Sequence, residues 1–214
     1  MEGALRDGAG RPGLKLIETL GWDGRAFARL EGHLARLAWS AAALGWACDA
    51  RQVQAALANA VGDAGARVRL TLDASGAVEV TTGALPEPLP LWRVGMAQER
   101  LASGDPWLRV KSTHRPAYDA ARASIRAGLD EVILLNERDE VCDGSITTVF
   151  FDRGEGLRTP PDSAGLLPGV LRAAMLASGE VRQETLLAAD LGRVRLRLGN
   201  SLRGLGTAQW VAND

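Results

Sequence analysis

Three prolines in five positions interrupt this chain of 214 residues, in the run Leu85-Pro86-Glu87-Pro88-Leu89-Pro90. Each proline removes a backbone N–H and pushes the residue before it out of the helical region. No helix and no central strand runs through such a segment. It reads as a linker, which predicts an N-terminal domain over 1–88 and a C-terminal domain over 89–214. At about 150 residues per domain, the length suits one large domain or two small ones.

Before the linker, residues 1–13 are rich in glycine and charge and read as a loose lead-in. Leu14 to Trp22 reads as a strand, Asp23-Gly24 as a hairpin turn and Arg25 to Leu30 as the returning strand. Leu30, Leu34, Leu37, Ala41 and Leu44 recur at helical spacing, which predicts a helix from about 31 to 44. A second helix is expected over 50–61, then strands over 67–72 and 78–82. Beyond the linker the pattern predicts strands over 92–100, 131–135 and 145–151, with a helix over 116–127. Another helix follows Pro168-Gly169, and short strands lie near 194–198 and 208–211. Helices and strands do not alternate regularly, so the fold class is α+β rather than doubly wound.

Composition narrows the function. Apolar residues make up 46% and the formal net charge is −1. The chain has material for a core, and no whole-chain basic field draws it to nucleic acid or an anionic membrane. The uncharged run Leu37–Cys48 is too short to span a bilayer. Two cysteines and two histidines make no convincing metal site. A cytoplasmic protein without metal is the expectation. No phosphate-binding GxxxxGK[ST] loop and no GxGxxG after a strand is present.

One count points to chemistry. Of 25 basic residues, only Lys15 and Lys111 are lysine. Arginine cannot lose its proton near neutral pH or form a Schiff base, whereas a desolvated lysine does both. A lysine that persists against such a bias is a candidate for a reactive amine.

Lys111 opens Lys111-Ser112-Thr113-His114-Arg115, followed by Tyr118-Asp119. Further on come Glu131 to Asn136, then Asp143-Gly144-Ser145-Ile146-Thr147-Thr148, Thr159-Pro160-Pro161, Leu166-Leu167-Pro168-Gly169-Val170-Leu171-Arg172 and Asn200-Ser201-Leu202-Arg203-Gly204. Near the start stand Glu18-Thr19-Leu20 and Glu31-Gly32-His33-Leu34-Ala35-Arg36-Leu37. In this order and at these spacings the chain resembles the class IV aminotransferases, the fold-type IV pyridoxal-phosphate enzymes. Within them it is most similar to aminodeoxychorismate lyase, including the lyase-like domains fused to aminodeoxychorismate synthase. The resemblance covers about residues 14–211. It implies a small N-terminal α/β domain, a C-terminal barrel-like domain, pyridoxal 5'-phosphate as cofactor and a homodimer.

It also implies roles. Lys111 matches the lysine that carries the cofactor and moves protons. Arg36 matches the phosphate arginine, although Arg29, His33 and Arg36 share a helical face of the kind that is usually solvated. Gly169, Val170 and Leu171 would offer N–H groups to the phosphate at a helix start, and Ser201 a hydroxyl. Asp143 matches the carboxylate beside the pyridine nitrogen, where the family usually has Glu. That carboxylate is shorter by about 1.5 Å. Thr148 stands where the family usually has Asn. Arg115 and Arg203 are candidates for substrate carboxylates, and a structural ion pair is the alternative for each. The implied reaction converts 4-amino-4-deoxychorismate to 4-aminobenzoate and pyruvate, for folate synthesis. A branched-chain or D-amino acid transaminase is a second reading. A catalytically degenerate relative that binds a ligand or partner is a third.

Overall fold

A computed structural model describes residues 2–212, so Met1 and the last two residues of the expected domains lie outside it. The fold is α+β, and the chain divides into two compact units. One is Met1–Glu87 with Val110–His114, and the other is Pro88–Arg109 with Arg115–Asp214.

The first unit runs α1 (Glu2–Gly8), β1 (Lys15–Trp22), α2 (Leu30–Leu44), α3 (Ala50–Asn59), β2 (Ala66–Asp73) and β3 (Val78–Gly83). Its sheet has the order β1-β2-β3, antiparallel throughout. Strand β1 buries one face from Leu16 to Leu20, and Ile17 on the other face is buried as well. Leu16, Glu18 and Leu20 share one face and are buried. The short segment around Lys111 adds to the free edge of β1. Ile17 N donates to Lys111 O at 2.8 Å and Thr113 N to Lys15 O at 2.9 Å, and Leu16 bridges Ser112. The lysine therefore belongs by its contacts to the first unit, although it follows the linker in sequence.

Local chemistry sets the helix ends. Asp49 caps α3, its carboxylate accepting from Arg51 N at 2.8 Å. Gly45 ends α2 at φ 73°, the left-handed conformation that glycine takes without penalty. Two expectations fail here. The lead-in is partly helix, because α1 buries Leu5. The returning strand shrinks to a single bridge between Trp22 and Phe27, because Arg29 at φ 55° turns the chain directly into α2.

The second unit holds β4 (Trp92–Leu101), α4 (Pro116–Ala123), β5 (Glu131–Asn136), β6 (Val141–Gly144), β7 (Thr148–Asp152), β8 (Leu157–Thr159), α5 (Val170–Ala177), β9 (Arg182–Gln183), β10 (Arg195–Asn200) and β11 (Gly204–Trp210). Among the described residues they form one sheet, β6-β5-β4-β11-β10-β7-β8-β9. The sheet curls on itself. Gly144 N, at the end of the edge strand β6, donates to Thr147 O just before β7 at 2.7 Å. Strand β5 is buried on both faces. Ile133 and Leu135 join a core with Val94, Val149, Phe151 and Leu198, and Val132 and Leu134 pack with Leu108, Tyr118 and Ala121. The strand expected over 145–151 is broken by a turn at 145–147, and α4 stops earlier than expected. Among the described residues no helix is long and apolar enough to cross a membrane.

Candidate functional site

In the first unit the site is built around a buried carboxylate. Glu18 lies on the core face of β1 between two leucines, where an unpaired charge would be prohibitive. Helix α2 supplies its partners. Arg36 donates to Glu18 from Nε at 2.8 Å and from Nη2 at 2.6 Å, the two-pronged geometry that arginine suits. One turn earlier, His33 Nδ1 lies 2.6 Å from Glu18 Oε2. Burial alone would push Glu18 up. The Arg36 charge and hydrogen bonds, the His33 hydrogen bond and the Lys111 charge outweigh it and hold the carboxyl at about 2. His33 moves down, because burial outweighs its carboxylate neighbour. A carboxylate only accepts, so His33 Nδ1 is the donor in this pair.

The helical face expected to be solvated is thus an inward one. His33 is buried, and the Arg36 side chain is only 10% exposed. Only Arg29 of the three is exposed. Glu18 and His33 were not assigned roles from the sequence. The signal was a charged residue at a core position of an alternating strand.

In the second unit the counterpart is Asp143. It sits on β6 at 5% exposure. Its Oδ2 is 3.5 Å from Tyr118 Oη and accepts from Leu167 N at 3.4 Å. Its Oδ1 is buried without a hydrogen-bond partner in the structure. Burial pushes this carboxyl well above its usual range, against the Leu167 amide and the Arg172 charge. A buried acceptor oxygen left in this way fits a cationic N–H donor from a bound group.

The turn after Asp143 is folded by Glu131, which is fully buried at the start of β5. Glu131 accepts from Ser145 N at 3.1 Å, Ile146 N at 3.1 Å and Thr147 Oγ1 at 3.0 Å, and also from Ser145 Oγ. A Cβ on Gly144 would collide with Thr147 Oγ1 and lie 3.2 Å from Glu131 Oε2. The turn thus requires glycine there, and it fixes the residue next to Asp143.

Helix α5 begins at Gly169, whose position as N-cap brings no side-chain hydrogen bond to the first-turn N–H groups. Val170 and Leu171 open the helix and are buried. A Cβ on Gly169 would lie 2.7 Å from Thr148 Oγ1, so the helix start and β7 meet where only glycine fits. An uncapped helix start of this kind fits an anion. Ser201 is buried at the turn between β10 and β11. Asn200 Nδ2 donates to Ile146 O at 3.1 Å and ties that turn to the one after Asp143.

The two arginines assigned to substrate have different surroundings. Arg115 Nε donates to Asp119 Oδ1 at 2.9 Å and its Nη2 to Ser145 O at 2.7 Å. Arg203 stacks on Trp92, with Cζ 5.5 Å from the ring centroid. Cys142 is buried and its thiol is pushed far up, first by burial and then by Asp143, which makes it a poor nucleophile.

The chain is 31% identical over 178 residues to a protein of Schizosaccharomyces pombe named "Putative aminodeoxychorismate lyase", covering 79% of this chain and 76% of that one. A crystal structure from Mesorhizobium loti, named as a "Putative amino-acid aminotransferase", is 42% identical, with a TM-score of 0.88 over 92% of this chain and 100% of its own. A Mycobacterium tuberculosis structure described as a hypothetical aminotransferase in its PLP-bound form shares the fold at 22% identity. Its TM-score is 0.75 over 93% of this chain and 81% of its own. The family model for amino-transferase class IV matches residues 15–209, nearly the whole described chain. It takes in Glu18, Asp143, the lysine at the edge of β1 and the glycine-bound start of α5, and on that match the chain belongs to the class IV aminotransferases, a family of pyridoxal-phosphate enzymes.

Proposed function

We propose that this chain binds pyridoxal 5'-phosphate and converts 4-amino-4-deoxychorismate to 4-aminobenzoate and pyruvate, a step of folate synthesis. The observation that carries the cofactor is the unpartnered, buried Oδ1 of Asp143. It offers the carboxylate that a protonated pyridine nitrogen needs. The S. pombe relative supports the lyase reading. The residues assigned to the cofactor are Lys111 for covalent attachment, Arg36, Ser201 and the N–H groups of Gly169, Val170 and Leu171 for its phosphate, and Asp143 for its ring nitrogen.

When bound, the cofactor supplies an electron sink beside the substrate nitrogen. Lys111 then does the proton work. Its amine takes the proton from the ring carbon that bears the nitrogen, and returns a proton to the departing enolpyruvyl carbon. Loss of pyruvate leaves an aromatic ring, which drives the step. Asp143 keeps its neighbour protonated. Arg115 and Arg203 are assigned to substrate carboxylates. A homodimer is the assembly that the family resemblance implies.

The M. loti structure, named as an amino-acid aminotransferase, supports transamination, and the second reading is a branched-chain or D-amino acid transaminase using the same residues. It needs a 2-oxo acid and shows ping-pong kinetics. Release of 4-aminobenzoate without added oxo acid identifies the lyase, and amino-group transfer identifies the transaminase. The first test is the visible spectrum of the protein with pyridoxal 5'-phosphate, before and after borohydride, beside Lys111→Ala. The expected result is a band that borohydride removes and the variant lacks. Absence of the band from the wild type would overturn the cofactor assignment and favour a degenerate binding relative.

A further inference from the structure

Strand β1 carries two sets of contacts at successive residues. Along its edge, Ile17 N donates to Lys111 O at 2.8 Å and Leu16 bridges Ser112. At the next residue, Glu18 is buried and takes Arg36 of α2. The amine assigned to covalent attachment and the cation assigned to the phosphate are thus both referred to one short stretch of backbone. Both also act on Glu18. Burial pushes its carboxyl up, and the charges of Arg36 and Lys111 are among the forces that pull it down.

The geometry at Glu18 does more than balance charge. Oε1 accepts from Arg36 Nε at 2.8 Å and Oε2 from Arg36 Nη2 at 2.6 Å. A two-pronged pair fixes the plane of the guanidinium as well as its place. His33, one turn earlier on the same helix, holds the carboxylate in turn, with Nδ1 2.6 Å from Oε2. His33 is 2% exposed, so this bond is made away from water. A flexible arginine loses rotamer freedom when a ligand fixes it. Here folding has already met that cost, and an anion arriving at Arg36 meets a side chain set in advance.

We propose that Glu18 is a positioning residue, which orients Arg36 for the cofactor phosphate, keeps it in register with Lys111, and so sets a preference for a phosphorylated ligand. His33 supports Glu18 in that role. The proposal rests on the cofactor assignment made above and deepens it.

The test is equilibrium dialysis of the full chain against pyridoxine 5'-phosphate and pyridoxine. Neither carries an aldehyde, so binding is read apart from attachment to Lys111. The wild type should prefer the phosphorylated form. Glu18→Asp keeps the charge and withdraws the carboxylate by about 1.5 Å, which separates place from charge. It should lower the preference about five- to tenfold and leave pyridoxine affinity unchanged. In an Arg36→Leu chain the same change should lower the preference no further. Glu18→Gln serves if Glu18→Asp does not fold. Loss of a negative charge beside Arg36 would by itself draw a phosphate in, so a fall in preference supports positioning and a rise overturns it. An unchanged preference in Glu18→Asp, an equal loss for both ligands, or a further fall in the Arg36→Leu chain also overturns it. A wild type with the borohydride-sensitive band, beside variants of unchanged preference, defeats the positioning role alone. A wild type with neither band nor preference defeats the cofactor assignment and the positioning role together.

Discussion

Glu18 and Asp143 are both carboxyls in apolar surroundings, and they end at opposite extremes. Glu18 meets a guanidinium and an imidazole at hydrogen-bond distance and stays ionised. Asp143 meets a phenol and an amide at long range and is pushed toward its neutral form. The first arrangement stabilises the chain by itself. The second is complete only with a further donor. For Glu18 the pH dependence follows from its depressed value. Its contribution is full above 4.5, its ordinary value, and fades as the pH falls toward about 2. Glu18→Gln should therefore destabilise the protein at pH 7 by about 3 kcal/mol. Urea unfolding at several pH values checks this. A gap from wild type that does not shrink between pH 5 and pH 2 would count against the ion-pair account.

Glycine fixes the contact between α5 and β7. Adding a methyl group at Gly169 forces it to within 2.7 Å of Thr148 Oγ1. Gly169→Ala should cost about 1–3 kcal/mol, and Thr148→Ala in the same chain should recover part of it. A double-mutant cycle measured by denaturant unfolding reads this coupling. Strict additivity would mean that the two residues do not press on each other.

Much of this architecture was legible in the sequence. The spacing of Leu30, Leu34, Leu37, Ala41 and Leu44 matches α2, and the turn at 73–76 separates β2 from β3. Helix α1 was not legible, because Gly3, Asp7 and Gly8 oppose a helix and only the burial of Leu5 favours it. Nor was the break after Asp143, since its cause is Glu131, more than ten residues away in sequence. Lys111 stood out by residue type alone. Glu18 and His33 did not, because pairing between a strand and a helix leaves no local spacing.

The linker and the Lys111 segment place different cuts on the chain. Residues 84–91 form no regular structure apart from a bend at their end, yet Val110–His114 lies beyond them and is bonded to β1. A specific protease site inserted after Glu87 should be cleaved without freeing the two pieces. They should elute together under native conditions and part in denaturant. Separation on a native column would show that the backbone bonds at Ile17 and Lys15 hold too weakly to matter.

The same edge pairing bears on synthesis. A ribosome that has released residues 1–87 has not yet supplied the segment that covers the edge of β1. Until residue 114 emerges, β1 presents an open row of amides and carbonyls, the kind of surface on which nascent chains aggregate or recruit chaperones. A gene fragment ending at the linker would carry that defect permanently. Recombination between relatives would be better tolerated with junctions that keep residues 14–18 and 110–114 from the same parent.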